Sequence, residues 1–136
     1  MIDFTTLLEA YFDCRRHKRS TVGATEFEMS YMSNLVQLLD DVNSRQYKIG
    51  TSICFVVRYP RYREVFAGQF RDRIIHHYIA MRLEPLFEQD FSDRTYNCRK
   101  GKGQLAGIRQ LQQDIYEVSD GYTQDAWVMK IDLKGF

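Results

Sequence analysis

Apolar side chains recur every three or four residues in the first third of the chain, a spacing typical of amphipathic helices. One such stripe runs from Phe4 to about Arg19. A second stripe follows Thr25 and Glu28, whose spacing matches a helix-capping box. These patterns predict two helices, the second of them continuous from Thr25 to about Asn43.

Helical spacing returns in the second half of the chain. One pattern begins at Phe70 and meets Pro85, a residue that removes a backbone donor and disfavours a helix interior. A further apolar stripe covers residues 105–118. We therefore expect a helix that breaks near Leu83 or Glu84, and a separate helix over residues 105–118.

Strand-like patterns lie between these helices and at the end of the chain. Residues 53–59 are rich in β-branched and aromatic side chains, Pro60 favours a turn, and residues 63–70 resume the strand pattern, which predicts a hairpin. Alternating residues 127–132 predict one more strand. The expected fold class is α+β: a mostly helical lobe with an arginine-rich β-hairpin and a C-terminal strand.

Length and composition place the chain among globular proteins. It has 136 residues, 44% of them hydrophobic, which is enough for one domain or one lobe of a larger one. No apolar run approaches the roughly 20 residues of a membrane span, and no signal peptide is evident. Cys14, Cys54 and Cys98 lack the spacing of a zinc site or a disulfide framework. We therefore expect a cytoplasmic protein without a membrane partner.

A formal net charge of +1 argues against a uniformly basic protein, but the cations are clustered. Such clusters favour contact with phosphate groups. The three clusters are Arg15, Arg16, Lys18 and Arg19; Arg58, Arg61, Arg63, Arg71 and Arg73; and Arg94, Arg99, Lys100 and Lys102.

The arginines beside the predicted turn at Pro60 allow two interpretations. Charges on a hairpin edge protect it from aggregation, whereas guanidinium groups brought together by cross-strand neighbours can clamp a phosphate. Arg71 and Arg73 flank Asp72 and are equally suited to a carboxylate or a phosphate. Asp72 itself is a candidate cap for the following helix.

Residues 97–103 form a basic glycine loop ahead of a helix, where backbone N–H groups and three cations can hold an anion. The spacing is not that of a P-loop, so nucleotide hydrolysis is not indicated. A solvated loop is an equal alternative. His76 and His77 point about 100° apart on a helix, which favours a packing or hydrogen-bonding role for one of them over metal binding.

Asp132 is the candidate catalytic and metal-binding residue. A carboxylate near a strand end is commonly solvated or a cap, but it can also supply an oxygen ligand to Mg²⁺. A magnesium centre requires partner carboxylates, which we expect to lie beyond residue 136.

Five segments, taken in order, resemble blocks of reverse transcriptases, specifically the bacterial group II intron-like class that includes diversity-generating retroelements. They are Tyr59-Pro-Arg-Tyr-Arg-Glu-Val65, Phe70-Arg-Asp-Arg-Ile-Ile-His-His77, Leu83-Glu-Pro-Leu-Phe-Glu88, Tyr96-Asn-Cys-Arg-Lys-Gly-Lys-Gly103 and Lys130-Ile-Asp-Leu-Lys-Gly-Phe136. Two departures are mild: Thr95 replaces the usual Ser, and Arg61 stands where Lys is common. The Tyr-x-Asp-Asp motif, primer grip and thumb are absent from these residues.

The resemblance implies an RNA-directed DNA polymerase, a nucleotidyltransferase, of which this chain is the N-terminal part. Residues 1–44 would be a helical extension, 45–124 the fingers and 125–136 the start of the palm. Its expected partners are an RNA template, an RNA/DNA duplex and an incoming dNTP, and its expected cofactor is Mg²⁺ in the full-length enzyme. The fragment alone is expected to be inactive.

The resemblance also assigns individual roles. It places Arg63, together with Arg58 or Arg61, at the incoming nucleotide and Asp132 at catalytic Mg²⁺. Five further cations are expected to contact the nucleic acid: Arg71, Arg73, Arg99, Lys100 and Lys102. The alternative is a self-standing module for binding nucleic acid or protein, in which Asp132 is an ordinary surface acid.

Overall fold

The computed structural model describes residues 1–16, 18 and 20–133; Arg19 of the first basic cluster and residues 134–136 of the C-terminal motif lie outside the described residues. Over the described residues, helices and one antiparallel hairpin confirm the α+β class. The elements are α1 (Phe4–Arg15), α2 (Val22–Glu28), α3 (Tyr31–Asn43), β1 (Ile53–Val57), β2 (Arg63–Ala67), α4 (Phe70–Asp90) and α5 (Gln104–Val118).

The chain divides into two compact units, which meet in sequence at Gln89 and Asp90. The first unit contains the buried core, to which α1, α2, α3 and the start of α4 all contribute. On α1 the buried stripe includes Leu7, Tyr11 and Cys14, a helical spacing that explains why this segment forms a helix. Tyr11 stacks on Tyr31 with ring centroids 5.5 Å apart.

The prediction of one continuous helix from Thr25 to Asn43 is wrong. The chain forms two helices, separated at Met29 and Ser30. Thr25 is not a cap: it lies inside α2, and its hydroxyl donates to the Thr21 carbonyl at 3.2 Å. The amide of Asn34 donates to the Phe27 carbonyl at 2.9 Å, so a side chain satisfies the end of α2 and makes the break possible.

The predicted hairpin is confirmed. Strand β1 pairs antiparallel with β2, from Ile53 opposite Ala67 to Val57 opposite Arg63. The predicted helix break before Pro85 is wrong, because α4 runs through Pro85 without interruption. A proline removes a single backbone bond, here the one to the Met81 carbonyl, and the Leu and Glu residues on both sides favour a helix.

A buried carboxylate fixes the chain between α3 and the hairpin onto α4. Asp72 is only 1% exposed; it accepts a hydrogen bond from the Tyr47 hydroxyl and one from the Gly50 N–H at 2.9 Å. Its role is therefore a tertiary anchor, not the cap considered above. His77 Nδ1 lies 2.8 Å from Asp13 Oδ2, which confirms that one histidine of the pair bonds within the fold.

The second unit contains the predicted basic loop and α5. No residue of α5 is buried, although its apolar stripe is present. The predicted C-terminal strand is wrong for the residues described, since 125–133 contain no strand. A strand requires a backbone partner, and Trp127, Met129 and Ile131 are all exposed.

The division into residues 1–44, 45–124 and 125–136 stays a prediction. Among the described residues, no helix combines the length and apolar character needed to cross a membrane. The thiols of Cys14, Cys54 and Cys98 are free.

Candidate nucleic-acid interface

The hairpin tip, defined as residues 58–63, holds the three arginines that are candidates for the nucleotide site. Arg58 directly follows β1, Arg61 lies in the turn, and Arg63 opens β2. All three are exposed, and none has an ion-pair or hydrogen-bond partner among the described residues. The nearest acid in sequence, Glu64, falls on the opposite face from Arg63 because strand side chains alternate. The tip therefore presents several guanidinium groups to solvent.

The local sequence explains why the two strands end at this tip. The ladder ends at the pair of Val57 and Arg63, and the proline in the turn has no donor to extend the ladder further. The Tyr59–Pro60 peptide bond is cis. Tyr59 and Tyr62, which local sequence patterns do not mark as site residues, are 86% and 79% exposed. The sequence feature that could have identified them is their position between arginines.

The two arginines at the start of α4 have different surroundings. Arg71 forms an ion pair with Asp41 of α3, and its guanidinium carbon lies 5.2 Å from the centre of the Tyr47 ring. This neutralising partner reduces its capacity for phosphate. Arg73 is half-buried and lines a cleft instead.

That cleft, within the first unit, has a volume of about 690 Å³. Phe27 and Phe70 supply apolar walls, and the side chains of Asn34, Arg71 and Arg73 supply polar ones. The Asn34 amide and the Arg71 guanidinium are already bonded within the fold. Arg73 is therefore the cation best placed to meet a ligand in this cleft.

In the basic loop of the second unit, two of the cations predicted to contact nucleic acid form hydrogen bonds within the loop. Arg99 Nη1 donates to the carbonyl oxygens of Ser92 at 2.7 Å and Thr95 at 3.2 Å. Lys102 Nζ donates to the Asp93 carbonyl at 2.5 Å and lies 5.8 Å from the centre of the Tyr96 ring. These cations hold the loop together. Lys100 is exposed.

Asp132 is exposed in a segment without regular structure. Over residues 1–16, 18 and 20–133, no three His, Cys, Asp or Glu side chains are grouped closely enough to hold a metal ion. A lone exposed carboxylate does not by itself fit the several-oxygen coordination of Mg²⁺.

Burial and hydrogen bonding shift the pKa of groups in both units. Burial, together with the hydrogen bond to Asp72, raises the pKa of Tyr47 to about 12. Burial also raises the pKa of the Cys14 thiol, so this cysteine is unsuited to nucleophilic chemistry. In the second unit, hydrogen bonds from Arg94 and Gln110 lower the pKa of Asp114.

No protein-family model matches the chain. It is similar to two intron maturases of Arabidopsis thaliana. Nuclear intron maturase 2, mitochondrial, is 24% identical over 128 residues, which cover 82% of this chain and 16% of the relative. Nuclear intron maturase 1, mitochondrial, is 34% identical over 64 residues, covering 47% of this chain and 8% of the relative.

The chain is therefore distantly similar to intron maturases. The chain spans less than a fifth of the length of either relative. The narrower assignment to the bacterial retroelement class stays a prediction, as does the cytoplasmic location, since both relatives carry the word mitochondrial in their names.

Proposed function

We propose that this chain is part of an RNA-directed DNA polymerase and that it binds the RNA template and an incoming dNTP. The observation that carries the proposal is the hairpin tip, where Arg58, Arg61 and Arg63 are exposed and without partners among the described residues. In a chain similar to intron maturases, such a tip is well suited to phosphate groups.

The physical basis is the chemistry of guanidinium. Its planar array of donors makes paired hydrogen bonds to phosphate oxygens, and these charge-assisted bonds are stronger than neutral ones. Elsewhere in the chain, Arg15, Arg71 and Arg94 already form ion pairs with carboxylates. The tip arginines differ because the fold leaves their donors available.

Asp132 would contribute one oxygen ligand to Mg²⁺ in the longer polymerase, where the ion would neutralise charge on the transferred phosphate. Since one carboxylate does not complete a centre, activity is not expected from these 136 residues alone.

RNA binding can be tested by fluorescence anisotropy with the 136-residue chain and a labelled single-stranded RNA, over a range of salt concentrations. We expect weak binding that falls steeply with salt, because contacts with phosphates release counterions. Arg61→Ala should weaken binding roughly tenfold at low salt and reduce the salt slope by about 0.7.

Arg109→Ala is the matched control, since Arg109 is also exposed, also without a partner among the described residues, and lies on α5. Equal losses in the two variants would assign binding to general charge and not to the tip. An affinity that does not change with salt would contradict the proposal.

The dNTP assignment requires a separate measurement. Titration with a dNTP and Mg²⁺ should show weaker binding for Arg63→Ala than for wild type, with a smaller change in RNA affinity. The reverse result, with RNA affinity lost and dNTP binding intact, would place Arg63 on the template.

A protein-interaction module is the second candidate function. The observation in its favour is α5, whose apolar stripe includes Leu105, Ile108 and Leu111 and has no buried member. If this function is correct, Leu111→Lys should abolish self-association or partner binding in ultracentrifugation and leave RNA affinity unchanged.

A further inference from the structure

We propose that the hairpin tip binds unpaired RNA bases, which stack on Tyr59 and Tyr62 while the neighbouring Arg58 and Arg61 hold the RNA phosphates. The tip would therefore prefer single-stranded RNA to duplex. This inference rests on the proposed RNA-binding function and identifies the form of RNA that the same surface recognises.

The first observation is that these two tyrosines differ from the others in the chain. Of the nine tyrosines, the other seven contact an aromatic ring or a cation. Tyr11 stacks on Tyr31, Tyr116 contacts Tyr122, and Tyr47, Tyr78 and Tyr96 each lie beneath a cation.

Tyr59 and Tyr62 have no ring, cation or hydrogen-bond partner among the described residues, and both are almost fully exposed. Covering an exposed aromatic face with a flat partner lowers the free energy. A nucleobase is such a partner, whatever its identity.

The second observation is the order of side chains along the tip, which is Arg, Tyr, Pro, Arg, Tyr, Arg. Each tyrosine is flanked by a cation without a carboxylate partner. A nucleic-acid strand presents the same alternation, with one base and one phosphate in every repeat. Pro60 fixes one backbone dihedral of the tip, so less conformational entropy is lost when a strand binds.

These features favour single-stranded RNA over a duplex. A duplex hides its base faces in the stack, so it offers the tip only phosphates. Single-stranded RNA supplies several accessible bases and the phosphates between them, and stacking on aromatic side chains is the usual way in which proteins hold unpaired RNA.

The test compares single-stranded RNA with the same strand annealed to its complement, by fluorescence anisotropy of the 136-residue chain. Replacing both tyrosines, Tyr59→Leu and Tyr62→Leu, keeps an apolar side chain at each position and removes the aromatic faces. We expect at least a fivefold loss of affinity for the single strand per tyrosine. Affinity for the duplex and the salt slope should stay unchanged, since the arginines remain.

Two further variants separate stacking from other effects. Tyr59→Phe with Tyr62→Phe keeps the rings and should retain the affinity of wild type for the single strand. Trp127→Leu removes an aromatic side chain that is 93% exposed and not flanked by arginines, and it should change nothing. Because the tip residues are exposed, circular dichroism should show an unchanged fold in every variant.

Equal losses for single strand and duplex, or no loss on Tyr→Leu replacement, would overturn the stacking proposal while leaving the RNA-binding function intact. Tighter binding of single-stranded DNA of the same sequence would overturn the assignment to RNA. If wild type bound no RNA of either form, the proposed function would fail and this inference with it.

Discussion

The buried hydrogen bond between Tyr47 and Asp72 provides a direct test of what stabilises the first unit. Tyr47→Phe removes the hydroxyl and keeps the ring, including its contact with Arg71. It leaves one oxygen of a buried carboxylate without its donor, while the Gly50 N–H still bonds the other oxygen. We expect the variant to fold and to be less stable than wild type.

The general strength of such a bond gives the magnitude. A hydrogen bond to a charged group contributes about 1.5–3 kcal/mol to stability. Tyr47 is only half-buried, so solvent screening reduces this contribution. We therefore expect Tyr47→Phe to lose about 1.5–2.5 kcal/mol of unfolding free energy.

The raised pKa also fixes the direction of the pH dependence. Below pH 10 the phenol is neutral in both the folded and the unfolded chain, and its stabilising contribution is fully present. Between pH 10 and about 12 the unfolded chain loses the phenol proton first, so this contribution falls as the pH rises. The stability difference between wild type and Tyr47→Phe should shrink over that interval.

Urea unfolding monitored by circular dichroism, at pH 8 and again between pH 10 and 11, measures both effects. Tyr62→Phe is the control, because its hydroxyl is exposed and has no partner among the described residues. If Tyr47→Phe were as stable as wild type, or if the difference did not depend on pH, the role given to Asp72 would be refuted.

Two further changes test the anchor and the metal assignment. Gly50→Ala should lower the unfolding free energy by roughly 1 kcal/mol, because the new Cβ would lie 2.4 Å from Gln69 Oε1 and 3.1 Å from Asp72 Oδ2. Gly23 lies inside α2, and a Cβ added there would meet nothing closer than Phe70 Cβ at 3.8 Å. Gly23→Ala should therefore raise the melting temperature. Millimolar Mg²⁺ should shift the melting temperature of neither wild type nor Asp132→Asn, because a lone carboxylate binds the ion weakly; a stabilisation lost in Asp132→Asn would show a more complete metal site.

Local patterns predicted the elements whose determinants are close in sequence. The hairpin follows from β-branched residues on either side of Pro60, and α5 follows from its apolar spacing. The break between α2 and α3 was missed because it depends on Asn34 reaching the Phe27 carbonyl, a contact that the capping-box pattern at Thr25 does not encode.

The candidate site shows the same difference between features that are local in sequence and features that depend on the folded chain. Sequence alone selected the tip arginines, because charge and turn propensity are local properties. It did not distinguish Arg63, whose guanidinium is available, from Arg71, which pairs with Asp41 thirty residues earlier in the chain. Tyr59 and Tyr62 were missed because the feature that sets them apart from the other tyrosines is the absence of a partner among the described residues.

The sequence by itself determined the α+β class, the position of the arginine-rich turn and the clustering of cations, since all three depend on residues near one another in the chain. The tertiary structure decided which polar groups bond within the fold and which remain available to a ligand. Asp72 became a buried anchor, Arg99 and Lys102 bonded within their own loop, and residues 125–133 formed no strand. The physical reason is that burial and pairing depend on which groups the folded chain brings together, and a local sequence pattern does not specify that approach.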